Sequence, residues 1–106
     1  MTVYNDVTIK NEDQYETVAA SQIAQVLGAT GGTGDVLEGL LVIPATTAPG
    51  AISILDDATS ITVYTGGTVG ADLTPFAIPI GAKSKNGAWK VTTGANLSVI
   101  AIGAFT

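Results

Sequence analysis

An all-β fold follows from three features of this 106-residue sequence. β-Branched residues dominate from about Ile23 onward, apolar and polar positions alternate with period two, and Gly, Pro and Asn/Asp turn signals interrupt the pattern at short intervals. Together they predict a β-sandwich or jelly roll of seven to eight short antiparallel strands with an extended N-terminal arm. Residues 1–22 read as the arm or a first strand, and 23–106 as the sandwich domain.

The arm is the most ambiguous part. Val7-Thr8-Ile9 alternates as a strand does. Asn11 with Gln14 fits a capping box, and Tyr15, Val18, Ala19, Ile23 and Val26 recur at helical spacing. Ile23-Ala24-Gln25-Val26-Leu27 works equally as a strand. The favoured reading is an extended arm or strand followed by a second strand, with a short helix near 13–20 as the alternative.

Beyond the glycine-rich stretch 28–34, Asp35 to Ile43 reads as a long central strand, and Leu40-Leu41-Val42-Ile43 is apolar on both faces. Pro44 ends it, because proline donates nothing to a ladder. Ala48-Pro49-Gly50-Ala51 fits a type II turn. Ala51–Leu55 and Ser60–Tyr64 alternate about the polar turn Asp56-Asp57-Ala58-Thr59, a hairpin with Ile52, Ile54, Ile61 and Val63 towards the core. Leu73 to Ile80 carries Pro75 and Pro79, which place it at an edge. Asn86-Gly87 is the strongest hairpin signal in the chain; it predicts a type I′ turn joining a strand before Ser84 to Ala88–Thr92. Thr93–Asn96 turns the chain into Leu97–Ile102, a second central strand.

Composition narrows the function classes. The chain has no histidine, cysteine or arginine, and 12% of its residues are charged. Groups that titrate near neutrality, bind metals or clamp oxyanions carry most enzyme chemistry, so a structural or binding role is expected rather than an enzyme, with no cofactor. No disulfide can form. Four lysines against nine carboxylates, net charge −5, argue against nonspecific nucleic-acid binding. No secretory signal is visible at the N-terminus, and the apolar run 40–43 is too short to cross a membrane as a helix. A mean hydropathy of +0.43 is nonetheless high for a small domain. With so few charges to cover it, part of its surface is expected to be buried against other subunits.

Motifs with chemical overtones have simpler readings. Gly28 to Asp35 lacks the Gly-Lys-Ser/Thr ending of a phosphate loop and ends in an acid, so it reads as a connecting loop. Asp56 and Asp57, with Asp72, match no calcium loop and read as turn formers. Asp35 and Glu38 are the carboxylates a hydrolase would recruit, but no aromatic platform for a sugar accompanies them. Lys83, Lys85 and Lys90 read as a solvated cluster, Trp89 as a core residue, and Asn96-Leu97-Ser98 as a chance glycosylation triplet. Tyr4, Val7 and Tyr15, all in the arm, are the candidates for contacts outside the domain, tyrosine being enriched at protein interfaces.

Three stretches carry a resemblance: Gly34 to Pro44; Thr46-Thr47-Ala48-Pro49-Gly50-Ala51; and Asn86 to Asn96, continuing through Phe105. Over roughly residues 25–106 the chain resembles small β-rich virion proteins of tailed bacteriophages, notably capsid decoration or cement proteins. The matching motifs are turns and strands, not catalytic residues. The resemblance implies a place on the capsid surface of the virion, a homotrimer, and the major capsid protein as partner, with neighbouring capsomers bridged. The alternative is a tail fibre or spike module that recognises a host-surface glycan.

Overall fold

The computed structural model describes residues 2–4, 7–9, 13–68 and 73–106, and side chains within 13–68 and 73–106. Every element in these residues is a strand. β1 (Thr2–Tyr4) and β2 (Val7–Ile9) pair as a small antiparallel hairpin. β3 (Gln14–Val18), β4 (Gln25–Val26), β5 (Val36–Pro44), β6 (Ile52–Asp56), β7 (Thr59–Tyr64), β8 (Phe76–Lys83), β9 (Trp89–Thr93) and β10 (Leu97–Ala104) build two sheets of four. Sheet one runs β3-β10-β5-β8 and sheet two β4-β9-β6-β7.

That order is a jelly roll. β3 pairs with β10, β4 with β9, β5 with β8 and β6 with β7, all antiparallel. These nested pairs are one long hairpin whose tip is the turn between β6 and β7. Rolling the ribbon brings β5 against β10 and β6 against β9, which closes each sheet. From β3 onward, among the described residues, only β6 and β7 are consecutive strands within one sheet; every other link crosses between the two sheets.

The crossings are tied in pairs, as a bent ribbon requires, because buried backbone groups need partners. In the first corner the Ser21 amide donates to the Gly94 carbonyl at 3.0 Å, and Thr93 to Gln22 at 2.9 Å. In the second, Leu27 donates to Trp89 at 2.9 Å and Gly34 to Ser84 at 3.1 Å. In the third, Gly67 donates to Pro49 at 2.8 Å.

The core lies where the inner faces meet. On β10, Leu97, Val99 and Ala101 alternate with half-buried Ser98, Ile100 and Ile102. Opposite them in register stand Pro44, Val42 and Leu40 of β5 and, on β3, Val18 beside Val99. Sheet two contributes Ile52, Ile54, Trp89 and Val91, and Leu27 and Phe105 close one end. The β5–β8 ladder contains a bulge in which Ile80 and Gly81 stand opposite the single Glu38. Gly81 has φ 65°, the left-handed conformation such a bulge assigns to glycine.

Two local expectations give way to the ribbon, while at residues 14–18 the favoured extended reading holds over the helical alternative: they form strand β3. Val18 enters the core, and inward-facing Glu16 is held by the Gly28 amide at 2.7 Å and by Gln25 Nε2 at 2.8 Å. Asn86-Gly87 makes no hairpin, because β8 belongs to sheet one and β9 to sheet two. The Lys85 and Asn86 amides instead donate to the Asp56 carboxylate at 2.9 and 3.1 Å. Gly87 lets the chain pass Asp57, whose Cβ a Gly87 side chain would meet at 2.8 Å. Pro49-Gly50 is not a type II turn, since Gly50 lacks the positive φ that turn needs. Its glycine serves a close backbone approach: Gly50 donates to Ala95 at 2.8 Å, and Gly94 to Ala51 at 2.7 Å.

A Cβ at Gly94 would lie 2.7 Å from the Gly50 Cα and 2.8 Å from the Ala51 nitrogen. Both obstacles are backbone and cannot rotate away. Gly94→Ala is therefore expected to destabilise the domain by about 1–3 kcal/mol, the usual cost of forced overpacking. Urea unfolding checks this, and a midpoint equal to that of the parent chain refutes the clash.

Candidate interaction surface

The two sheets present different outer faces. Along sheet two, Ser53, Leu55, Ser60, Thr62, Lys90 and Thr92 point outward, as their alternation with Ile52, Ile54, Val91 and Thr93 requires. Hydroxyls and a lysine make this an ordinary wetted surface; Ser53 Oγ and Thr62 Oγ1 lie 3.3 Å apart on it.

Sheet one is the reverse. Tyr15 stands opposite Ile102, Ile100 opposite Leu41, and Leu41 opposite Ala77. Ile43 and Pro79 extend the same face. Its central side chains, Leu41, Ile43, Ile100 and Ile102, are half-buried, while Tyr15 at the β3 edge is 72% exposed. Lys83 is the charge this alternation places there. The face arises because β5 and β10 are apolar on both sides, the pattern of a strand covered above and below.

The sequence-predicted interface residues fall in two places. Tyr15 belongs to this face. Tyr4 and Val7 are backbone partners across the β1–β2 hairpin, and their side chains lie outside the described residues. β2 runs beside β5 and β8, whereas Tyr15 is on β3 at the opposite edge, so the structure does not bring the three together. Composition signalled an apolar surface but gave no hint of Leu41, Ile43, Ile100 and Ile102 as its members. Only the pairing of β5 with β10 shows that their outward rows are adjacent.

The acidic residues are occupied with holding the fold. Asp35 is 4% exposed. Its carboxylate accepts from the Thr106 amide at 3.1 Å, from Thr106 Oγ1 at 3.1 Å and from the Gly32 amide at 3.1 Å. The Thr106 carbonyl in turn accepts from Thr30 at 3.0 Å and Gly31 at 2.8 Å. The glycine loop is thus a cradle for residue 106, built partly at Gly28 and Gly31, which have φ 92° and 67°. Trp89, 4% exposed, donates its indole N–H to the Asp35 carbonyl at 3.0 Å. Glu38, 5% exposed, sits in the bulge of β5, so these two carboxylates line no cleft.

Asp56 organises the adjoining loop, where Ser84 donates to the Asp35 carbonyl at 2.8 Å and the next residue, Lys85, to the Asp56 carboxylate at 2.9 Å. The Lys85 amide holds its carboxyl below the usual carboxylate range; burial works in the opposite sense, and the Asn86 and Gly87 amides and the Lys85 charge reinforce the lowering. Asp57 pairs with Lys90 at 3.7 Å. Asp72, the third member of the expected cluster, lies outside the described residues. Among the described residues no trio of acidic side chains converges as metal ligands, and no pocket opens. Asn96 has φ 65° and donates its side-chain amide to the Ala48 carbonyl at 3.2 Å.

Asp35→Ala is expected to cost about 1–3 kcal/mol, because it removes a buried carboxylate that accepts from the Gly32 amide and from the amide and hydroxyl of Thr106; urea unfolding measures it. Asp56 gives a pH signature. Its folded pKa lies below the unfolded value, so its contribution is complete above the unfolded value and is lost as pH falls through the folded one. Thermal unfolding from pH 6 down to about pH 2 is expected to show an acid limb that Asp56→Asn flattens. An identical limb in the variant would assign the acid sensitivity elsewhere. No protein-family model, curated protein or solved structure matches the chain.

Proposed function

We propose that the chain is a non-enzymatic structural protein of a bacteriophage virion, a decoration protein that binds the outer surface of the head and bridges capsomers. The observation that carries this reading is the contrast between the two outer faces. One sheet is clothed in hydroxyls; the other presents Tyr15, Leu41, Ile43, Ile100 and Ile102 side by side. Contiguous apolar patches of that kind mark interaction sites. Covering a half-buried isoleucine or leucine contributes about 1 kcal/mol, and a shell repeats each small contact over its whole lattice.

The resemblance read in residues 25–106 is the ground for proposing the major capsid protein as partner and a homotrimer as the form in which copies meet one another. The jelly roll is compatible with this role but does not select it, since the same architecture serves viral shells, lectins and small-molecule enzymes. In this reading sheet one turns towards the shell and sheet two towards solvent.

Expanded heads lacking the protein provide the test. The parent chain is expected to co-sediment with them at saturating, lattice-defined stoichiometry. Ile102→Lys, a charge set in the middle of the apolar face, is expected to abolish binding, while Ser60→Lys on the opposite face leaves it intact. Equal binding by both variants would remove the proposed orientation. Failure of the parent chain to bind any head form would remove the function.

A further inference from the structure

The two four-stranded sheets have four edges, and three of these are blunted. β4 is only two residues long. β8 carries Pro79, Lys83 and the Gly81 bulge. β3 points the charge of Glu16 inward, where it is bound by Gly28 and Gln25. These are the standard means by which proteins prevent strand addition. β7 has none of them. Its sequence, Thr59-Ser60-Ile61-Thr62-Val63-Tyr64, contains no charge, no proline and no glycine, and it ends sheet two with β6 on one side alone.

The direction of its free backbone groups follows from its neighbours. The Asp57 amide donates to the Ala88 carbonyl, in line with the β6–β9 register. Odd-numbered residues of β6 therefore face β9, and Ile54 and Asp56 face β7. Their partners Ile61 and Thr59 face back. Ser60 and Thr62 accordingly turn their N–H and C=O groups to the open side. Ile61 shares the inner face with its partner Ile54, yet it is 47% exposed, whereas Ile54 is 3% exposed. At this point the core runs out to the edge and stops.

We infer that the β7 edge is a self-association site, where two copies of the chain pair antiparallel about a two-fold axis through Ile61, joining their second sheets into one. The register is self-consistent. With Ile61 opposite Ile61, Ser60 meets Thr62 of the second copy and exchanges hydrogen bonds through the outward groups of both. Ile61 becomes the closely spaced non-hydrogen-bonded pair, where side chains pack best. Inner faces stay on the same side, so the two exposed isoleucines complete each other's core edge. Charge does not oppose it: each Asp57 falls opposite Thr65 of the second copy, far from the other Asp57. This inference is independent of the head-binding role, which uses the other sheet.

Sedimentation equilibrium of the full chain across a wide concentration range, with amide exchange at Ser60 and Thr62, tests it. The expected result is a two-chain species, with both amides protected in proportion to its population. Thr62→Pro deletes an outward donor without touching the β6 ladder, and Ile61→Lys sets like charges against each other while sparing the backbone. Each is expected to weaken the dimer at least about tenfold, and the second keeps the test decisive if the first misfolds. Ile102→Lys is expected to leave it unchanged. A single-chain species throughout, a dimer lost in Ile102→Lys but kept in Ile61→Lys, or a three-chain species with both amides unprotected would each overturn the assignment.

Discussion

The antiparallel pairing of β5 with β10 is the constraint on which the rest of the molecule hangs. These strands lie in opposite halves of the chain, yet they are in register from Leu97 opposite Pro44 to Ala104 opposite Val36, with one slip at Glu38. Each is also a member of a ribbon pair, β5 with β8 and β10 with β3. Their contact is therefore the seam at which the long hairpin closes on itself. It places Val42 beside Val99 and Leu40 beside Ala101 in the core, and the same register sets Leu41 beside Ile100 on the outside. Core and apolar outer face are two sides of one pairing, so a change that shifted the register by a residue would exchange them.

The seam would fray at its end without a fastening, and Asp35 supplies it. The residue immediately before β5 takes the backbone and hydroxyl of Thr106, shortly after β10, while the glycine loop holds the Thr106 carbonyl. Trp89 adds sheet two to the same point through the Asp35 carbonyl. An acidic side chain buried against several donors is costly to remove and adds little if any one donor is missing. Here the carboxylate binds both the amide and the hydroxyl of Thr106 and the Gly32 amide of its own loop, so it ties the start of one central strand to the end of the other.

Much of the fold was legible because period-two alternation is local. Ile52-Ser53-Ile54-Leu55, Ser60 to Tyr64 and Leu97 to Ile102 declare themselves as strands, and Pro79 correctly assigns β8 to an edge. The failures share a cause. Asn86-Gly87 has hairpin chemistry, but β5 already claims one side of β8, and β6 claims β9. A dipeptide cannot report that the ribbon bends there. Gly50 invites a turn type, whereas its actual constraint is Gly94, distant in sequence. For residues 13–20 the local pattern left strand and helix both open, and what decides for the favoured strand is Val99, opposite Val18 and distant in sequence. The apolar character of the surface could be read from composition. Its concentration on one sheet could not, because adjacency of outward rows is created only by pairing.

That concentration changes what the low charge content means. A chain this poor in ionic groups could scatter its apolar surface thinly, and then no particular partner would follow. Instead, the carboxylates at Asp35 and Asp56 are spent on internal backbone donors, and Glu38 is buried in a bulge. Lysine and hydroxyl side chains clothe one sheet, leaving the other to Tyr15, Leu41, Ile43, Ile100 and Ile102. The edges repeat the asymmetry, with β3, β4 and β8 protected against strand addition and β7 left bare. A fold that guards most of its boundary so specifically is not generically sticky. Among the described residues an apolar face and an unblunted edge stand out, and they lie on different sheets, so a neighbour on one leaves the other free.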